Sequence, residues 1–220
     1  MIRNAFKTVL TQIGNSNSRL RNVMTCTSSK SPFVKKTNML DLEMERLVWI
    51  DMEMTGLDID NDKIMEIACL VTDSELNIIA ESENIIIHQP NEVLLKMNDW
   101  CIKQHGKTGL TEACRNSKIS TQEAEDKLLN FLKDFVSEQA SPLCGNSVYM
   151  DRFFLIKNMP KLNEYLHYRI VDVSSIKELS KRWNNSVYKN APKKEFTHRA
   201  LNDIKESVNE LKYYKENLFK

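Results

Sequence analysis

The 220-residue sequence has no C-x-x-C pair, no internal repeat, and no apolar run near the roughly 20 residues that a membrane-spanning helix needs. Its five cysteines (Cys26, Cys69, Cys101, Cys114 and Cys144) are odd in number and scattered. That argues against a disulfide framework or a zinc site, and for a reducing interior in which the thiols are packing residues. Acidic residues are missing altogether from positions 1–40, which carry seven basic ones: Arg3, Lys7, Arg19, Arg21, Lys30, Lys35 and Lys36. The remainder holds 24 basic against 30 acidic residues, so positions 41–220 carry about −6 beneath an overall +1. An acidic body gains little from the diffuse phosphate attraction that dominates binding to long nucleic acids. Any nucleic-acid substrate of such a body is short, or is held by a local site.

The acid-free segment is rich in Ser, Thr and Asn, and Ile2, Phe6, Val9, Leu10 and Ile13 recur at helical spacing beside Arg3 and Lys7. These are features of a mitochondrial transit peptide, without the continuous apolar core of a secretory signal. Residues 1–40 are therefore expected to be a targeting segment, the alternative being a disordered basic tail. Residues 41–220 are expected to form one folded domain. Met39 and Met44 lie at its threshold, where initiation would give an untargeted form for the cytoplasm or nucleus.

Within the domain, "LVWIDMEM" (47–54) reads as a strand with Val48, Ile50, Met52 and Met54 on one face. Asp51 and Glu53 share the other face with Trp49. An edge strand with a solvated acidic face is the plain explanation, since two neighbouring carboxylates repel and burial raises the cost. "KIMEIACLVTD" (63–73) and "LNIIAESENIIIHQ" (76–89) read as two further strands, giving an antiparallel meander. Helical patterns follow at 91–104, 107–115 and 121–136, then a short strand at 142–147 and a helix at 148–158. A strand at 168–175 leads into a helix at 176–183, and a last helix spans roughly 200–217. Strands followed by alternating helices and strands make an α/β fold, a mixed sheet with helices on its faces.

Two more acids stand at helix starts. Asp151 falls in the first turn after a strand, with Asn146 or Ser147 placed to cap it, and the helix dipole alone favours an acid there. Asp203 lies near the start of the last helix. His198 precedes it by five residues, too many for one helical face, so it belongs to the approach to that helix. Four carboxylates on elements that converge at one sheet edge need hard divalent cations to be stable together. Two such ions can activate water and stabilise the leaving oxygen of a phosphodiester, and a neutral histidine can take the proton.

"IDMEMTGLD", "GNSVYMDRFFL" and "THRALNDIKES" resemble the three motifs of the DEDDh 3′→5′ exonucleases. From about Leu47 to Tyr214 the chain is similar to the oligoribonuclease branch of that family, including "HYRIVDVSSIKEL" and "MNDWCIKQHGKTGL". The resemblance implies an RNase H-like mixed β-sheet flanked by helices, a homodimer, and two Mg²⁺ or Mn²⁺ ions per site. It implies hydrolysis of very short RNA, especially diribonucleotides, to 5′-mononucleotides. By position, Asp51, Glu53, Asp151 and Asp203 would hold metal and His198 would be the general base. Leu57 and Trp100 match apolar contacts to the bases, although core packing explains such residues as well. Ser147 and Ser174, with His198, match a cap over the 5′-phosphate. Arg169 and its neighbour Tyr168 match a contact from the other protomer. His105 matches a position near the 3′ nucleotide, with a surface helix as the alternative. Three rival readings stay open: an exonuclease for longer RNA or DNA ends, a phosphatase acting on mononucleotides, and a non-catalytic RNA-binding module.

Overall fold

The computed structural model describes residues 45–194 and 199–219. The proposed targeting segment, Cys26 and His198 lie outside those residues. Six strands form one mixed sheet: β1 Leu47–Met54, β2 Ile64–Thr72, β3 Ile78–Glu81, β4 Ile85–Ile86, β5 Pro142–Gly145 and β6 His167–Asp172. The order is β3-β2-β1-β5-β6, with β4 also paired to β2. β1 runs antiparallel to β2 and parallel to β5, and β5 is parallel to β6. β1 is therefore central. The edge-strand explanation of its two acids fails, because both of its sides are occupied by hydrogen-bonded neighbours.

The alternating pattern of β1 serves two apolar layers at once. Val48, Ile50 and Met52 face a core completed by Ala124, Leu128 and Leu132 of helix α4 (Thr121–Lys133) and by Phe154 and Leu155 of α5 (Tyr149–Asn158). Trp49 faces the opposite core with Ala68, Leu70 and Cys144, closed by Ile204, Val208, Leu211 and Tyr214 of α9 (Ala200–Leu218). The indole N–H of Trp49 donates to Thr72 Oγ1 at 3.1 Å, so the largest side chain of that layer leaves no polar atom unmet. β2 is buried along its whole length. Such a strand gives no alternation to read, only an apolar run. Cys69, Cys101, Cys114 and Cys144 are free and buried, as packing residues should be.

Sequence and structure part in several places. The segment 76–89 is two short strands, not one. Helix 91–104 divides into α1 (Asn91–Leu94), which ends at the C-cap Leu95, and α2 (Asp99–Lys107), which Asn98 caps, its side chain accepting from the Cys101 N–H. α3 (Leu110–Asn116) starts after Gly109, whose φ of 76° suits a residue without Cβ. Two short helices had no periodic signal: α6 (Pro160–Tyr165) and α8 (Asn185–Lys189). α7 (Val173–Trp183) begins three residues earlier than its apolar pattern, since Asp172 ends β6 and caps the helix by accepting from the Ser174 N–H. α4 is fixed by a capping box: Ser120 Oγ accepts from the Glu123 N–H and Glu123 Oε2 from the Ser120 N–H.

Phe154 is fully buried and locks α5, which carries Asp151, onto the sheet. Truncation to alanine should lower stability by about 3–5 kcal/mol. A urea midpoint for Phe154→Ala close to wild type would show that α5 is held by something other than this contact.

Candidate active site

Because β1 is central and its register is fixed on both sides, Asp51 and Glu53 project from the face that α9 covers. Opposite them on β2 stand Ala68 and Glu66, respectively. Asp203 sits in the first turn of α9 and reaches the same place. One carboxylate oxygen from each of Asp51, Glu53 and Asp203 lies within 4.8 Å of the others. Asp151 joins from the first turn of α5, where it is buried. Three of the four acids that the sequence singles out thus meet, and Asp151 lies near enough for its charge to act on Asp51 and Glu53.

Their electrostatics follow from that convergence. Burial pushes Glu53 up to about 8, and the charges of Asp203, Glu66 and Asp151 add to it. Burial likewise pushes Asp151 up to about 8, opposed in part by backbone hydrogen bonds at Asp151 and Met52. Asp51 is held well above the usual carboxylate range by burial and by Asp151, Asp203 and Glu53, with Lys194 pulling the other way. Arg199 supplies a second counter-charge, its Nε lying 3.2 and 3.1 Å from the two oxygens of fully buried Glu66. Oxygen donors that crowd together and resist ionising are the donor set hard divalent cations take, and the cluster fits such an ion.

The remaining candidates form two groups. Leu57 and Trp100 are 68% and 60% exposed, so the core-packing alternative does not hold for either. They line a cavity of about 340 Å³ together with Glu53, Gly56, Cys101 and His105. His105 is not on a helix surface. It is 1% exposed, its Nε2 meets the Met54 carbonyl at 3.0 Å, and its Nδ1 lies 3.8 Å from Glu53 Oε2. The loop carrying Leu57 is shaped by Gly56, where a Cβ would fall 2.3 Å from Asp62 Oδ2. That carboxylate accepts from Thr55 Oγ1 at 2.7 Å and from the Asp58 N–H at 2.9 Å, closing the turn. No chemistry-bearing pattern in the sequence marks Asp62 or Arg199.

Ser147 and Ser174 form the second group, their hydroxyls 3.1 Å apart. Neither Asn146 nor Ser147 caps α5, whose N-terminus has no side-chain cap. The Ser147 N–H instead donates to Asp172 Oδ1 at 3.0 Å and to Ser174 Oγ at 2.7 Å, while Asn146 turns toward α9. Ser147 has φ of 53°, a left-handed conformation that costs a side-chain-bearing residue energy and is held here by those two bonds. Tyr168 and Arg169 lie elsewhere, on edge strand β6, with the guanidinium 5.2 Å from the phenol ring centre.

The frame and acid cluster match known proteins. A family model described as Exonuclease, of the RNase T type, covers residues 48–211, which defines an RNase H-like exonuclease domain. The solved structure of E. coli Exonuclease I in complex with a dA16 oligonucleotide superposes with a TM-score of 0.62 over 79% of this chain and 41% of that one, at 16% identity. Exonuclease I of Methylocaldum szegediense gives 0.60 over 80% and 41%, also at 16% identity. The chain spans about two fifths of those proteins, and at that identity the likeness is one of fold. Relatives in sequence are much nearer. The human mitochondrial oligoribonuclease is 53% identical over 80% of this chain and 74% of its own. The Francisella tularensis oligoribonuclease is 55% identical over 79% of this chain and 96% of its own. The chain belongs to the oligoribonuclease family.

A raised carboxyl pKa favours the folded state below the ordinary carboxylate value and costs stability as pH climbs through the folded value. In chelator, the melting temperature should therefore fall between about pH 5 and pH 9, as Glu53 and Asp151 are forced to ionise. Mg²⁺ should flatten that slope, and Asp51→Asn should raise the chelator melting point at pH 8 while weakening the response to Mg²⁺. Scanning fluorimetry reads all three, and a pH-independent melting point in chelator would contradict the arrangement.

Proposed function

We propose that the protein is a 3′→5′ exoribonuclease that hydrolyses very short RNA, diribonucleotides above all, to 5′-mononucleotides. The observation that carries this is the exposed pair Leu57 and Trp100 on a small cavity that also contains Glu53. Large apolar side chains held in water beside clustered acids suit a wedge and a stacking platform for two bases. A phosphatase for mononucleotides would need neither. In this reading Asp51, Glu53, Asp151 and Asp203 hold two ions, Mg²⁺ or Mn²⁺. Divalent cations supply the positive charge that hydrolysis of a phosphodiester requires. His105, fixed by the Met54 carbonyl, orients Glu53 and meets the 3′ nucleotide. His198 takes the proton from the attacking water. Ser147 and Ser174 receive the 5′-phosphate, which ends the site after two nucleotides. No basic track is needed, in keeping with the acidic body.

The chain acts as a homodimer in this proposal. β6 is a sheet edge with exposed Tyr168, Arg169 and Ile170, and Tyr149, Phe153 and Ile156 of α5 are exposed as well. Arg169 would reach the partner's substrate phosphate, with Tyr168 beside it. Residues 1–40 act as a mitochondrial targeting segment ahead of a domain spanning 41–220, as the mitochondrial relatives support. Among the described residues no helix is long and apolar enough to cross a membrane.

The direct test is turnover of a labelled diribonucleotide beside a longer RNA and a DNA strand, with Mg²⁺. Fast conversion of the dinucleotide alone is expected. Equal or faster attack on the longer strands would overturn the short-substrate reading in favour of a general 3′ exonuclease, and turnover of neither would favour a binding module. Trp100→Ala should raise the dinucleotide KM about tenfold, within the range of one lost base stack. His198→Ala should lose most turnover while keeping its thermal response to Mg²⁺.

A further inference from the structure

One buried carboxylate beyond the four site acids is tied to the serine pair through Asn146. Glu210 on α9 is 1% exposed, and cations and amides converge on it from three elements. Lys177 of α7 reaches Oε1 at 3.1 Å. Lys194, at the end of the described segment after α8, lies 3.8 Å from Oε2 and hydrogen-bonds Ser207 Oγ at 3.1 Å. Asn146, between β5 and Ser147, donates its amide to Oε2 at 3.2 Å and to Ser207 Oγ at 2.8 Å. The Tyr214 hydroxyl closes the set at 3.5 Å from Oε1.

An ionised glutamate can only accept, and this one is out of water, so it settles which way its partners point. With its NH₂ drawn to Glu210 and Ser207, Asn146 presents Oδ1 to the other side. There it accepts from the Ser174 hydroxyl at 3.3 Å. Ser174 Oγ in turn accepts from the Ser147 N–H. With the Ser174 proton held by Asn146, the Ser147 hydroxyl is the donor of the pair that can turn to an anion. Lys177 and Lys194 offset the charges of Glu210 and of Asp172, whose Oδ1 accepts from the Ser147 and Ser174 N–H groups, and Lys177 sits one helical turn beyond Ser174. Two cations are thereby pinned behind the hydroxyls on a face where the carboxylates would otherwise repel phosphate.

We propose that Glu210 is a positioning residue for the 5′-phosphate subsite, gathering Lys177 and Lys194 and fixing the hydrogen-bond direction of Asn146, Ser174 and Ser147 toward a terminal phosphate. The proposal rests on the reading of Ser147 and Ser174 as that subsite. It makes recognition of the 5′ end a property of the β5–α7–α9 corner, separable from the acids that hold metal.

The experiment compares KM for a 5′-phosphorylated dinucleotide, pApA, with KM for its 5′-hydroxyl counterpart ApA, using the full chain with Mg²⁺. Wild type should favour pApA. Glu210→Gln should shrink the KM ratio about tenfold, the size of one charge-assisted hydrogen bond. A merely structural loss affects both substrates alike and leaves the ratio standing, which would overturn the proposal. Because Glu210 is buried, Lys177→Gln at its partly exposed partner provides a second variant, expected to shrink the ratio while the loss of a cationic partner from a buried carboxylate also lowers its melting temperature. An unchanged ratio in both variants sinks the proposal while the subsite survives. A wild-type enzyme without any preference for pApA removes the subsite reading itself.

Discussion

Four carboxylates drawn together at the end of a central strand set the terms for the rest of the molecule. Charges of one sign that close, out of water, oppose folding unless they are protonated or countered. The fold bears the cost by surrounding them with what is rigid. β1 is hydrogen-bonded on both sides, and apolar layers lie on both its faces. α5 brings Asp151 in on the buried anchor of Phe154, and α9 brings Asp203 on the stripe of Ile204, Val208 and Leu211. Apolar burial on this scale can hold unfavourable electrostatics in place, and a cation can then be bound strongly because its ligands are already assembled and repelling.

Counter-charge is rationed in a way that protects this arrangement. Arg199 neutralises Glu66, which lies opposite Glu53 on the neighbouring strand, and its charge also draws Glu53 down. Lys194 is committed to Glu210 and Ser207, close enough to draw Asp51 down but not bonded to it. A lysine or arginine bonded directly to Asp51 or Asp203 would relieve the repulsion and occupy the oxygens that a metal needs. Basic groups bonded to Glu66 and Glu210 lower the folding cost from beside the site.

How much of this was legible in the sequence depended on whether a residue's role was local. The acids of β1 stood out because a two-residue period places them on one face, and Asp203 because it opens a strongly patterned helix. The serine pair was legible only through family resemblance. Asn146 and Ser147 were misread as helix caps because capping chemistry and a turn that bonds across to β6 and α7 use the same residue types. Glu66, Asp62, Arg199 and Glu210 gave no local signal. Each has at least one partner distant in sequence: Thr55 for Asp62, Glu66 for Arg199, and Lys177 and Asn146 for Glu210. Glu66 lies within an apolar strand, and only its register opposite Glu53 gives it meaning. The divided helix expected at 91–104 shows the same limit, since Asn98 inside an apolar pattern starts a new helix.

The sign of the body's charge then bears on substrate length. With about −6 over residues 41–220, a long polyanion approaching this domain meets net repulsion, and each extra nucleotide adds charge without adding a binding group. A dinucleotide meets a different balance. Its two bases can cover Leu57 and Trp100, which otherwise stand in water, and stacking energy does not depend on the sign of the surface. Its terminal phosphate can reach a corner where Lys177 and Lys194 offset the charges of Glu210 and Asp172 behind two hydroxyls. In the proposed reading, attraction confined to the two ends of a small ligand, on a surface that repels a larger one, adds to the serine cap in setting length selectivity.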